Sequence, residues 1–194
     1  YSATDHNNNT GTASITVRIV SSLSENESSG QFSFDTYGVT VLCPEASVGA
    51  TGTLNDKVYT AVDRNMLAQK VNAEEDLSCL CTSLVTNMEN IFSNKNFDDN
   101  ISSWDTSSVT SMQNMFYNAR AFNQPLNWDT SKVIDMNAMF YSAVAFNQDI
   151  SDWCVLKLSN QPQDFANYSA LEDENYPSWG TCSADNTPPV VTIT

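Results

Sequence analysis

The reactive groups this chain repeats are carboxylates. Asp105 and Asp129 each stand between a tryptophan and Thr-Ser, in Trp104-Asp-Thr-Ser and Trp128-Asp-Thr-Ser. If the two strings lie on coils about 4.8 Å apart, their carboxylates come within about 5 Å. They then repel by roughly 0.8 kcal/mol in water, and by more if partly buried. Calcium, which takes oxygen ligands, or a cation such as Lys132 would offset that cost. In the competing reading each Asp accepts a hydrogen bond from Ser107 or Ser131 and closes an Asx turn. The turn is favoured, because Cys154 interrupts the row in a third copy. Asp98-Asp99 and Asp149 with Asp152 raise the question of a glycosidase, but they recur at turn positions, which favours a structural role. His6 is the one histidine and lies far from these residues. No Ser-His-Asp set or glycine-rich phosphate loop is in view, so an enzyme is not expected. Asp5-His-Asn7-Asn-Asn9 has the alternate-residue spacing of a calcium loop but lacks its terminal glutamate. Trp104, Trp128 and Trp153 offer faces that suit a glycan, although a large residue at every repeat is more often core.

These residues are positioned by an internal repeat. Val85, Val109 and Val133 are spaced by 24, as are Met88, Met112, Met136 and Phe92, Phe116, Phe140. Phe97, Phe122 and Phe146 step by 25 then 24, and Trp104, Trp128 and Trp153 by 24 then 25. A period of this length marks a solenoid, whose units bury their apolar sides only against neighbours. In each copy apolar residues fall at i, i+3 and i+4, as in Met112, Met115 and Phe116, which predicts one face of a short helix. Thr110 with Gln113 and Thr86 with Glu89 read as capping boxes; in the third copy Ile134 takes the cap position and Asp135 substitutes. A brief extended piece ending in Trp-Asp-Thr-Ser follows. The Phe116/Phe140 and Met115/Met139 rows are expected in the core, and Asn123/Asn147, with Asp98, as a buried polar ladder.

The string AFNQPLNWDTSKVIDMNAMFYSAVAFNQDISDW resembles the BspA-like leucine-rich repeat surface proteins, with their Mycoplasma-lipoprotein-type 25-residue repeats, which abound in secreted proteins of Bacteroidetes. VLCPEASVGATG and KVYTAVDRNML resemble the lead-in of that family, and DFANYSAL and PSWGTC its closing segment. The resemblance implies attachment rather than catalysis. It carries no residue with a chemical role.

The expected fold class is α/β: a short right-handed leucine-rich-repeat-like solenoid of about three coils, each a short strand plus a helical turn. Residues 1–20 resemble the end of an immunoglobulin-like β domain, with a strand over 14–20 after the Asn7-Asn8-Asn9 turn, and 185–194 the start of another. Between them lie a linker at 21–37, an N-terminal cap at 38–84, the repeats at 85–153 and a C-terminal cap at 154–184. Within the N-terminal cap, residues 52–62 have a hairpin pattern turning at Asn55-Asp56, and Asp63 should cap a helix from Arg64 to about Val71. Solenoids require such caps, since an uncovered coil exposes an apolar face and strand edges. Five cysteines are not in zinc-site spacing. Cys43 with Cys81 and Cys154 with Cys182 would each tie a cap to the neighbouring coil, leaving Cys79 odd.

The net charge of −15 argues against nucleic acid and anionic membranes as partners. No stretch approaches the roughly 18 apolar residues of a membrane span. Tyr1-Ser-Ala-Thr-Asp is not a signal peptide, so the chain reads as a mature or excised piece. The resemblance implies a non-enzymatic module of a large extracellular, cell-surface adhesin, with gliding as one setting, that binds a protein or glycan surface. Calcium is a candidate ligand but not a required cofactor. The candidate ligand surface is Asp105, Thr106, Asp129 and Thr130. The alternative is a spacer that only extends a stalk.

Overall fold

A computed structural model of the chain describes residues 2–4, 10–12 and 31–182. Strand β1 (Ser2–Thr4) pairs antiparallel with β2 (Thr10–Thr12), Ser2 opposite Thr12. The strand expected over 14–20, residues 21–30 of the linker and the segment 185–194 lie outside the described residues.

The N-terminal cap begins earlier than expected. Phe32 is buried, and β3 (Ser33–Phe34) pairs antiparallel with β4 (Val41–Leu42), so residues 32–37 are structure rather than linker. The signal was masked by the polar residues around a single apolar anchor. Phe32 lies directly on Gly52, where any Cβ would collide with its ring. Gly52 belongs to β5 (Thr51–Leu54), which pairs antiparallel with β6 (Lys57–Ala61). Asn55 and Asp56 turn the chain with φ of 48° and 60°, the left-handed pair that a two-residue hairpin demands. On its other side β6 pairs in parallel with β7 (Leu80–Cys81). Helix α1 (Arg64–Asn72) starts where Asp63 Oδ1 accepts the N–H of Met66 at 2.8 Å. Leu67 and Val71 on its inner face join the core of the repeats.

The repeats do not contain the expected helices. The N–H groups of Met88, Asn90, Phe92 and Asn94 donate to the carbonyls of Ser111, Gln113, Met115 and Tyr117 in the next coil, at 2.8–3.0 Å. Met112, Asn114, Phe116 and Asn118 donate likewise to Asp135, Asn137, Met139 and Tyr141. Intervening N–H groups, such as those of Met115, Tyr117 and Ala119, bond three residues back within their own coil. An α-helix would direct every N–H along its axis. Here residues at Asn90 and Asn94, Asn114 and Asn118, and Ala138 and Ser142 have φ of 50–59°, and these left-handed positions recur every four residues. Each breaks the helical path and turns alternate N–H groups toward the neighbouring coil. Asparagine tolerates this conformation better than most residues.

The capping boxes fail for the same reason: Thr110 N–H and Oγ1 both donate to Thr86 O, at 2.9 and 3.1 Å. Parallel bridges link Asn87 to Ser111 and Ser111 to Asp135, so the bridging segment precedes the turn run rather than ending in Trp-Asp-Thr-Ser.

Packing follows the same register. Phe92, Phe116 and Phe140 stack at 5.4 and 5.3 Å, and Phe97, Phe122 and Phe146 at 4.9 and 5.9 Å. Their buried members, with Met88, Met112 and Met136, form one core running from α1 to Phe165 and Leu171. Beyond the last repeat, Val155 N–H donates to Thr181 O and Trp179 meets Phe165 edge-on at 5.0 Å, which closes the C-terminal end.

Candidate functional site

The four residues proposed as a ligand surface are not a surface. Thr106 and Thr130 are 2% and 1% exposed, and Asp105 is also buried; Asp129 alone is exposed. Thr82 Oγ1 donates to Asp105 O, Thr106 Oγ1 to Asp129 O and Thr130 Oγ1 to Cys154 O, each at 2.9 Å. The threonine row therefore fastens coil to coil. A short hydroxyl side chain suits either an exposed face or such a buried tie, and the sequence pattern does not separate them.

Asp105 and Asp129 each close a turn. Asp105 Oδ1 accepts Ser107 N–H at 3.0 Å and Asp129 Oδ1 accepts Ser131 N–H at 2.9 Å, which is the Asx-turn arrangement. The second oxygen of Asp105 accepts from Ser83 Oγ at 2.6 Å, and Ser83 Oγ accepts from Cys43 N–H. The buried carboxylate thus joins the cap to the first repeat. Asp98 and Asp99 accept the N–H groups of Asn123 and Leu77, and Asp149 accepts that of Ser151. The hydroxyl and N–H of Ser151 hold the Asp149 carboxyl below its ordinary range, and the N–H and hydroxyl of Ser78 do the same for Asp76. Asp149 and Asp76 shape turns, while Asp98 and Asp99 tie separate segments together.

Trp104, Trp128 and Trp153 are at most 5% exposed and stack at 6.4 Å per step. Their Nε1 groups donate to Leu77 O, Ile101 O and Leu126 O. They are core, with the indole N–H satisfied as burial requires. The asparagine ladder exists but is exposed rather than buried: Asp98 Oδ1 accepts Asn123 N–H, Asn123 Oδ1 accepts Asn147 N–H, and Asn147 Oδ1 accepts Glu172 N–H. Asp98 and Asn123 are exposed and Asn147 half-buried.

Cys43 is bonded to Cys81 and Cys154 to Cys182, leaving Cys79 as the free thiol among the described residues. The calcium-like stretch at residues 5–9 lies outside the described residues. No described group of three or more His, Cys, Asp or Glu side chains is placed to hold a metal ion. Among the described residues, no helix is long and apolar enough to cross a membrane.

A further aromatic row, absent from the expectations above, has Tyr117 and Tyr141 half-buried and Tyr168 exposed. Tyr117 and Tyr141 stack with centroids 5.0 Å apart and planes 4° from parallel; Tyr168 meets Tyr141 at 5.3 Å and 76°. The signal was available as Met-Phe-Tyr in two successive copies. Crowding against its neighbours, followed by the charges that Tyr168, Tyr117 and Asp164 can carry, raises the Tyr141 hydroxyl above its ordinary pKa.

Stacked units of 24 or 25 residues, bonded through alternate amides and bridged by a disulfide at either end, define a repeat protein. Residues 62–179, more than half of the chain, match the family described as "Mycoplasma protein of unknown function, DUF285", and the chain belongs to that family. No curated protein and no solved structure matches it.

Proposed function

We propose that the chain is a non-enzymatic attachment module of a large secreted bacterial surface protein. In this reading it is a leucine-rich-repeat-like solenoid of the BspA-like kind, set between immunoglobulin-like domains, and it binds a protein or glycan on a surface outside the cell. The observation that carries the reading is the division of labour in the repeats. The acidic, threonine and tryptophan rows are committed to turns, inter-coil ties and core, while the turn run keeps outward side chains in register from coil to coil. Repetition of that kind supports several weak contacts at once, and many copies on a long stalk add avidity. The two disulfides fit an oxidising compartment outside the cytoplasm. The spacer reading draws on the same closed ends, which suit a part that only bears load.

Beads coated with the full chain, presented to immobilised matrix proteins and glycans with and without a calcium chelator, test the proposal. Attachment above that of beads carrying reduced, unfolded chain supports the module. Attachment to none of them puts the spacer ahead, and loss with the chelator brings calcium in as part of the ligand site.

A further inference from the structure

The tyrosine row, half-buried at Tyr117 and Tyr141 and open at Tyr168, has a geometry that selects a ligand. Parallel stacking hides the facing sides of Tyr117 and Tyr141 and leaves the outer face of Tyr117 toward the preceding coil. There the corresponding residue is Ser93, which carries no ring to cover it. Tyr168, 74% exposed and nearly perpendicular to Tyr141, adds a second open ring at the other end of the row. Its backbone has φ of 63°, at the place held in earlier coils by Asn94 and Asn118. A bulky side chain is uncommon in that conformation, and here it projects the ring outward.

The rim beside the rings carries amides and one charge of each sign. Asn118 Nδ2 donates to Asn94 Oδ1 at 2.9 Å, and Asn167 Nδ2 donates to Asp164 Oδ1 at 2.7 Å. Arg120 Nε bonds Asn118 Oδ1 at 2.8 Å, which places a positive charge beside the row. Asp164 puts a negative charge beside Tyr141 as well, so the rim favours neither sign of ligand, and the net −15 of the chain disfavours an anionic polymer. Tyrosine supplies rigid contact area with a polar tip at small entropic cost. Sugar rings present C–H faces for such aromatic surfaces and hydroxyl edges for such amides.

From this we infer that Tyr117, Tyr141 and Tyr168 form a binding platform for a neutral glycan, whose sugar rings stack on the open faces of Tyr117 and Tyr168. The inference rests on the attachment reading and names the ligand class for it.

The test is calorimetric titration of the full chain with neutral hexasaccharides of glucose, mannose and N-acetylglucosamine, with polylysine and heparin as charged probes. At least one hexasaccharide should bind. The Tyr117→Ala/Tyr168→Ala pair should weaken it at least about tenfold, and the Tyr117→Phe/Tyr168→Phe pair, which keeps the faces, should change it much less. Binding of the charged probes alone, or of no hexasaccharide, overturns the platform. So does saccharide binding unchanged in a folded alanine variant. If the alanine pair unfolds, ring-proton NMR of the unmutated chain decides: shifts of Tyr117 and Tyr168 on adding saccharide support the platform, and unmoved rings overturn it. Bead attachment by an unmutated chain that binds no hexasaccharide removes the platform and leaves the attachment module standing.

Discussion

The N-terminal cap and the repeats solve the same problem differently. In the cap, backbone groups are satisfied within local elements: a hairpin with Asn55 and Asp56 at its turn, and a helix whose start is capped by Asp63. In the repeats, alternate amides leave their own coil and bond the next one, so no unit is complete without a neighbour. Apolar residues four apart, Leu67 and Val71 in the cap and Met112 and Phe116 in the repeats, therefore lie in a helix in one region and in a run of turns in the other. Inward placement of side chains is shared by both conformations, and what separates them is where the N–H groups go.

The comparison can be pressed hardest in the core of the repeats. Trp128 lies between Trp104 and Trp153, stacks on Phe116 and donates to Ile101 O, so Trp128→Ala removes three stacking contacts and a buried donor. A loss of about 3–5 kcal/mol is expected from the denaturation midpoint. A midpoint near that of the unmutated chain would show that the coils do not depend on one another as described.

The junction between the two regions should respond less. Ser83 Oγ holds the buried Asp105 carboxylate and accepts Cys43 N–H, linking a disulfide of the cap to the first repeat. Ser83→Ala is expected to cost about 1.5–3 kcal/mol, as for a hydrogen bond to a charged group. Hydrogen exchange at Val41 and Cys43 should accelerate with it, because Val41 N–H is bonded to Ser103 O across the same junction. Unchanged exchange would mean that the cap is held by other contacts, such as the 2.6 Å bond from Arg64 to Glu89 O.

The cap was legible because its signals are local. Asn55-Asp56 between alternating residues and Asp63 before Arg64 each name a conformation by themselves. The repeat period, the tryptophan core and the disulfide pairs were legible from spacing and from the need to close the ends. The turn run was not, since Met112, Met115 and Phe116 fit a helix equally well. A clue lay in Asn90, Asn94, Asn114 and Asn118, which place a poor helix former every fourth residue. Thr106 and Thr130 were misplaced because hydroxyl side chains satisfy buried carbonyls as readily as water, and the matching Thr82 one coil earlier was the signal of a structural row. Phe32 was missed because one buried ring in a polar stretch leaves no periodicity.

One substitution made in both regions tests the account most directly. Ala138 has φ of 50° in the repeat turn run, whereas Ala68 sits within α1. Glycine relieves the left-handed strain at the first site and loosens a helix at the second. Ala138→Gly should raise stability by about 0.5–1 kcal/mol, and Ala68→Gly should lower it by about 1 kcal/mol, read from paired denaturation midpoints. Opposite signs are the predicted result. A loss of about 1 kcal/mol at both positions would mean that the repeats are helical after all and that their amides do not bond from coil to coil.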